Sequence, residues 1–169
     1  MTEAEFIPRQ NRLNEVALIG QISNAVFGDN LKAEFTERYV PDRGKVPGSK
    51  VQNFSSFLQR MPTCLWALRY QGTVVGFILI GDIPHANSIG FGIDVNYANM
   101  GILSEALVQI RKSDCIIYPL YAYTSARNKA AECLLKKSGF IITGEQIFFM
   151  GEESSKYVIE EPGNRFSIA

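Results

Sequence analysis

The sequence predicts a mixed α+β domain built on a mostly antiparallel sheet, and three observations predict it. Several stretches repeat apolar residues every three or four positions, the spacing of helices with one buried face. Pairs of apolar runs are joined by short turns, the pattern of β-hairpins. Strand-like runs at 88–95 and 115–124 flank a helical pattern, which implies parallel pairing there and antiparallel pairing in the hairpins on either side.

FIPRQ (6–10) reads as a short first strand that Pro8 confines to an edge or a strand start. From Asn14 onward Val16, Ile19, Ile22, Ala25 and Val26 mark an amphipathic helix ending near Gly28. YVPDRGKVPGSK (39–50) holds two prolines, two glycines and four charges, and is a loop long enough to line a site. A second helix carries Val51, Phe54, Phe57, Leu58 and Met61 on one stripe and stops at Pro62. CLWALRY and TVVGFILIG meet at Gln71-Gly72, a tight hairpin turn, and Trp66 belongs to the core. DIPHAN leads into SIGFGIDV (88–95), a strand with two glycines. A helix at about 101–113, a strand at 115–124 and a helix closed by Gly139 follow. IITGEQIFFMG and SSKYVIEE make the last hairpin, and EEPGNRFSIA is a loosely held tail. The order β-α-α-β-β-β-α-β-α-β-β gives six to seven strands and about four helices in a single domain spanning 1–169.

Composition narrows the function. The chain has 169 residues, 46% of them hydrophobic, which suits one folded domain with a core. Lys+Arg and Asp+Glu balance at 17 each, which argues against nucleic acid as a partner. No apolar run reaches the ~18 residues of a membrane span, and MTEAEFIPRQ is not a signal peptide. Cys64, Cys115 and Cys133 are odd in number, with no Cys/His cluster, so neither a disulfide framework nor a metal site is expected, and a cytoplasmic location fits.

Three segments carry a resemblance. They are IGFGIDVNYANMGILSEAL (89–107), NKAAECLLKKSGF (128–140), with Asn128, Ala131, Leu134, Gly139 and Phe140 spaced together, and LRYQGTVVGFILI (68–80). Together they resemble the GNAT superfamily of acyl-CoA-dependent N-acetyltransferases, especially its ribosomal-protein N-terminal acetyltransferase branch. The resemblance covers about residues 60–150. It implies a central twisted sheet and acetyl-CoA as co-substrate, its pyrophosphate resting on backbone amides at the start of a helix. The turn would be Ala98, Asn99, Met100, Gly101, Ile102 and Leu103, of which only Gly101 matches the family pattern, while Asn99 tolerates a left-handed backbone. Elementary physics supports such a site without any basic side chain, because a helix start has unpaired amides and a positive dipole end. Phe91, Gly92 and Ile93 would offer a free strand edge to the pantetheine amides. Gly90 and Gly92 also fit a bulge or a close backbone approach. Asn128 matches the CoA-contacting asparagine; by residue type alone it equally reads as a helix-start residue that satisfies backbone amides.

The positions at which the family places acid and base hold Leu135, Ala131 and Tyr123. Tyr123 and Ser125 are the replacement candidates, with Tyr121, Thr124 and Tyr97 near the same strand opening. Each tyrosine also reads as a half-buried sheet aromatic. His85 is the sole histidine and reads as a solvated loop residue; Asp82 and Asp94 read as turn residues, and Glu105 suits the first turn of its helix. The implied activity moves an acetyl group to a primary amine, of a small molecule or a peptide N-terminus, by direct attack in a ternary complex. The alternative is a catalytically silent CoA-binding module. Exposed edge strands in the last hairpin could pair two subunits into a homodimer.

Overall fold

The computed structural model describes residues 1–27, 50–81, 87–149 and 152–161. Within them run β1 (Thr2–Phe6), α1 (Val16–Phe27), α2 (Lys50–Arg60), β2 (Cys64–Tyr70), β3 (Thr73–Ile80) and β4 (Ile89–Ile93). Then come α3 (Ile102–Ile110), β5 (Leu120–Ser125), α4 (Lys129–Lys137), β6 (Ile141–Phe149) and β7 (Glu152–Ile159). Short 3-10 turns occupy Arg9–Asn14 and Val95–Tyr97. The expected loop at 39–50, save Lys50, which opens α2, and Asp82 and His85 of the expected DIPHAN turn lie outside the described residues.

The strands form an antiparallel four-stranded sheet, β1-β2-β3-β4, and an antiparallel three-stranded sheet, β5-β7-β6. One parallel bridge, Ser88 to Tyr121, joins them, and past it β4 and β5 are unpaired with each other. The mixed, mostly antiparallel seven-strand architecture is therefore the one expected, with its parallel element reduced to a single contact.

Alternation along β2 and β3 divides the core. Trp66, Leu68, Val75, Ile78 and Ile80 face α3 and α4, where Ile102, Ala106, Leu107, Ile110 and Leu135 join them. Leu65, Ala67, Phe77 and Leu79 face Ile19, Ile22, Phe27, Phe54, Phe57 and Leu58 of α1 and α2. The hairpin turn at Gln71-Gly72 has positive φ at both residues, 51° and 84°, which matches the twist of the strands it joins. Arg12 ties the chain before α1 to the turn before β2, donating to the carbonyls of Ile7, Pro62 and Thr63. Burial, then the charge of Arg9, pulls its pKa down to about 10.

Three expectations need correction. The first strand is Thr2–Phe6 rather than 6–10, because Pro8 cannot donate to a ladder and RQNRLN coils into the 3-10 turn. β5 begins at Leu120 rather than at 115, just after Pro119, which lacks the N–H a ladder needs. Cys64 and Cys115 are paired as a disulfide, with Cα atoms 6.2 Å apart. A separation of 51 residues leaves no local motif for such a pair, and Cys133 alone remains free.

Candidate active site

Two helices begin beside the opening between β4 and β5. α3 starts after Gly101, whose φ of 76° and ψ of 8° are left-handed. Asn99, two residues earlier, is also left-handed at φ 64°, a conformation its short polar side chain tolerates. The first bond of this helix runs from Glu105 N–H to the Gly101 carbonyl at 3.0 Å. The amides of Ile102, Leu103 and Ser104 precede it, and no side chain caps them. The second helix, α4, starts at Asn128, whose Oδ1 accepts from Ala131 N–H at 3.1 Å.

A cavity of about 580 Å³ lies between these helix starts and the free edge of β4, within the usual range for small-molecule sites. Phe91, Gly92 and Ile93 form one wall, and Ala98, Asn99, Gly101, Ile102 and Leu103 another. Asn128 opens the third wall. Met100, half exposed, is not part of the lining, nor are Tyr123 and Ser125. Tyr97, expected near the strand opening, and Ala131 and Leu134 of the helix motif also line it, together with Ser104, Lys129, Ala130, Cys133 and Lys137, which sequence reasoning missed. The signal was present in the last helix: 129, 133 and 137 repeat every four residues and share a face. Among the described residues, the charged members of the lining are Lys129 and Lys137, so an anionic guest meets two cations and two helix starts.

Gly92 is required by packing, since an added Cβ would meet Phe77 Cε1 at 2.7 Å. Gly101 is required by its backbone alone, because a Cβ there would meet nothing within 4 Å. Asp94 keeps a turn role, its Oδ1 accepting from Asn96 N–H at 2.9 Å.

Tyr121 and Tyr123 share a face of β5 with Lys156, which pairs with Tyr123 across to β7. Lys156 Nζ sits 4.5 Å from the Tyr121 ring centre and 3.2 Å from Glu145 Oε2. Burial raises the Tyr123 phenol above its ordinary value; Lys156 opposes this, while Glu145 and Tyr121 add to it. Leu135 is 1% exposed and packs in the core, and Ala131 is buried beneath the Asn128 cap. Among the described residues no group of three or more His, Cys, Asp or Glu could hold a metal ion, and no helix is long and apolar enough to cross a membrane.

No protein-family model and no curated protein sequence matches this chain. Solved structures do. RimL, a ribosomal L7/L12 alpha-N-protein acetyltransferase in complex with coenzyme A, is 15% identical with a TM-score of 0.60, covering 96% of this chain and 96% of its own. The microcin C7 self-immunity acetyltransferase MccE, in complex with acetyl-CoA and AMP, is 18% identical with a TM-score of 0.57, covering 94% of this chain and 92% of its own. A GNAT-family acetyltransferase from Streptococcus pneumoniae is 16% identical with a TM-score of 0.57, covering 95% and 99%. The chain has the fold of the GNAT acetyltransferases.

Proposed function

We propose that this protein is an acetyl-CoA-dependent N-acetyltransferase acting on a primary amine, of a small molecule or a peptide N-terminus. One observation carries the reading: the uncapped start of α3 opens into a cavity walled by the free edge of β4. An uncapped helix start binds phosphate through backbone amides, and a free strand edge takes the amides of an extended chain. A ligand with a pyrophosphate at one end and a peptide-like arm at the other, which is what acetyl-CoA is, matches both walls. Structural neighbours that bind coenzyme A or acetyl-CoA in this fold support the same assignment.

Acetyl-CoA supplies an activated thioester, which the amine attacks directly in a ternary complex. The amides of residues 102–104 hold the pyrophosphate, Phe91, Gly92 and Ile93 align the pantetheine arm, and a backbone N–H near Ile93 polarises the thioester carbonyl. Asn128 steadies the start of α4 against the ligand. Tyr123, kept protonated by burial, is the proton donor on the β5 side, with Ser125 beside it. A phenol with a raised pKa donates a proton and is a poor base at neutral pH, so the amine's own proton leaves through water.

A second reading rests on Leu135 and Ala131, both buried where the family places its acid: a CoA-binding module without transferase activity. Acetyl-CoA should raise the melting temperature under either reading, by an amount equivalent to about 2.7 kcal/mol at a hundredfold excess over the dissociation constant. No shift at millimolar acetyl-CoA removes both. Release of free thiol in the presence of a panel of primary amines selects the enzyme; binding without release selects the module.

A further inference from the structure

The helix that begins at the cavity is also clasped to the far edge of the sheet. β1 is an outer strand, and its inner side pairs with β2, Thr2 opposite Tyr70 and Ala4 opposite Leu68. The outer edge of such a strand ordinarily presents unpaired backbone groups. Here side chains of α3 take them. Glu105 Oε1 accepts from Thr2 N–H at 3.1 Å, Gln109 Oε1 accepts from Ala4 N–H at 2.8 Å, and Gln109 Nε2 donates to the Thr2 carbonyl at 2.7 Å.

The fit is metric. Residues four apart on a helix are separated by about 6.0 Å along its axis, and residues two apart on a strand by about 6.8 Å. Glu105 and Gln109 therefore meet Thr2 and Ala4 in step. Neither side chain lines the cavity, and both residues are exposed, whereas Ile102, Ala106, Leu107 and Ile110 seat the helix in the core. Apolar seating is non-directional and allows a helix small slides and rotations. Hydrogen bonds are directional and weaken steeply when misaligned, so three of them fix the height and rotation of α3.

We propose that Glu105 and Gln109 are positioning residues for cofactor binding, which set the first turn of α3 so that its amides converge on the pyrophosphate; this rests on the acetyl-CoA reading above. Glu105 has a further consequence. It stands in the same first turn as the amides that would hold phosphate, where a negative charge opposes the ligand, and its bond to Thr2 keeps that charge on the β1 side.

The test is calorimetric binding of acetyl-CoA and of S-acetylpantetheine, which lacks the nucleotide and its phosphates, to the full chain and to four variants. Gln109→Ala and Glu105→Ala should weaken acetyl-CoA binding threefold to tenfold and leave S-acetylpantetheine within twofold. In turnover the same loss should fall on the KM for acetyl-CoA, with kcat within twofold. Glu105→Gln keeps the accepting oxygen and drops the charge, so its acetyl-CoA affinity should equal or exceed that of the wild type. Ala4→Pro removes the amide donor from the outer edge, where proline is tolerated, and should reproduce Gln109→Ala. Unchanged acetyl-CoA affinity in Gln109→Ala and Ala4→Pro overturns the clasp, as do equal losses for both ligands, which would mark general loosening. Wild-type protein that binds no acetyl-CoA overturns the reading of the cavity, and the clasp's role with it.

Discussion

Two helices start at one cavity, and they start differently. α4 opens on Asn128, whose side chain turns back to cap Ala131 N–H. α3 opens on Gly101, which has no side chain to turn back, and leaves its first amides to whatever enters the cavity. The first start satisfies part of its own hydrogen-bonding need; the second does not. The distinction reverses the weight of the two sequence motifs. Asn128 sits in the better-matched motif, yet its oxygen is engaged within its own helix. Only Gly101 matches in the turn before α3, yet under the proposed function that turn is the stronger anion site, because Gly101 brings no side chain to cap the helix start.

The contrast can be broken most forcefully through the strand both helices face. A Cβ on Gly76 would fall onto the carbonyl oxygen of Gly92 and lie 3.0 Å from Ile93 Cα, both backbone atoms of β4. Backbone has no rotamer to give, so the strand must move. Gly76→Ala should reduce stability by about 3 kcal/mol, the upper end for overpacking, read from the denaturant midpoint, and should abolish acetyl-CoA binding along both walls. Wild-type stability in this variant would show that β4 yields, and that neither helix start depends on its position.

Gly101→Val comes next. The space at its Cβ is open, so the cost is conformational: a β-branched residue at φ 76° loses about 1–2 kcal/mol relative to glycine. Acetyl-CoA affinity should fall tenfold or more, equivalent to about 1.4 kcal/mol. Gly101→Asn, which tolerates the left-handed backbone, separates the two effects: it should recover most of the stability. Asn128→Ala is milder. Loss of a helix cap costs about 1 kcal/mol, visible as a lower melting temperature, with acetyl-CoA affinity changed less than threefold. An affinity loss matching that of Gly101→Val would mean that the two starts share the anion, and the contrast drawn above would fail.

How much of this was legible in the sequence depended on how local each cause is. The Gln71-Gly72 turn, the Gly139 helix stop and the helical stripes of Phe54, Phe57 and Leu58 were readable because neighbours a few residues away decide them. The left-handed tolerance of Asn99 was readable for the same reason. β1 was misplaced because MTEAEF pairs only one side with a strand; the other side is satisfied by Glu105 and Gln109, more than a hundred positions away. The Cys64–Cys115 pair was equally invisible, joined across 51 residues with no motif. At the candidate site, Phe91 to Ile93 and the turn at 98–103, Met100 excepted, do face one cavity. The lysines of α4 were not legible because a lysine on an amphipathic helix reads equally as part of its solvated face.

The smallest expected effect concerns Tyr123, on β5 and outside the cavity lining. Burial raises its phenol, Lys156 lowers it, and Glu145 and Tyr121 raise it, for a net rise in the folded protein. The unfolded chain titrates near ~10. The folded state therefore holds the proton more tightly, so Tyr123 contributes stability that is full below pH ~10 and is lost as pH rises through the folded value. Tyr118 and Tyr157 are raised too, burial first in both, so an alkaline decline persists in any single variant. Only the difference between wild type and Tyr123→Phe isolates the one phenol. That difference should be flat from about pH 7 to 9 and should then shift against the wild type above pH ~10, read from denaturant midpoints at each pH. Turnover by wild-type protein should likewise show no alkaline loss below pH ~9 if Tyr123 is the proton donor. A difference that already slopes between pH 7 and 9 would place this phenol below its ordinary value, and would remove the ground for keeping it protonated as the acid.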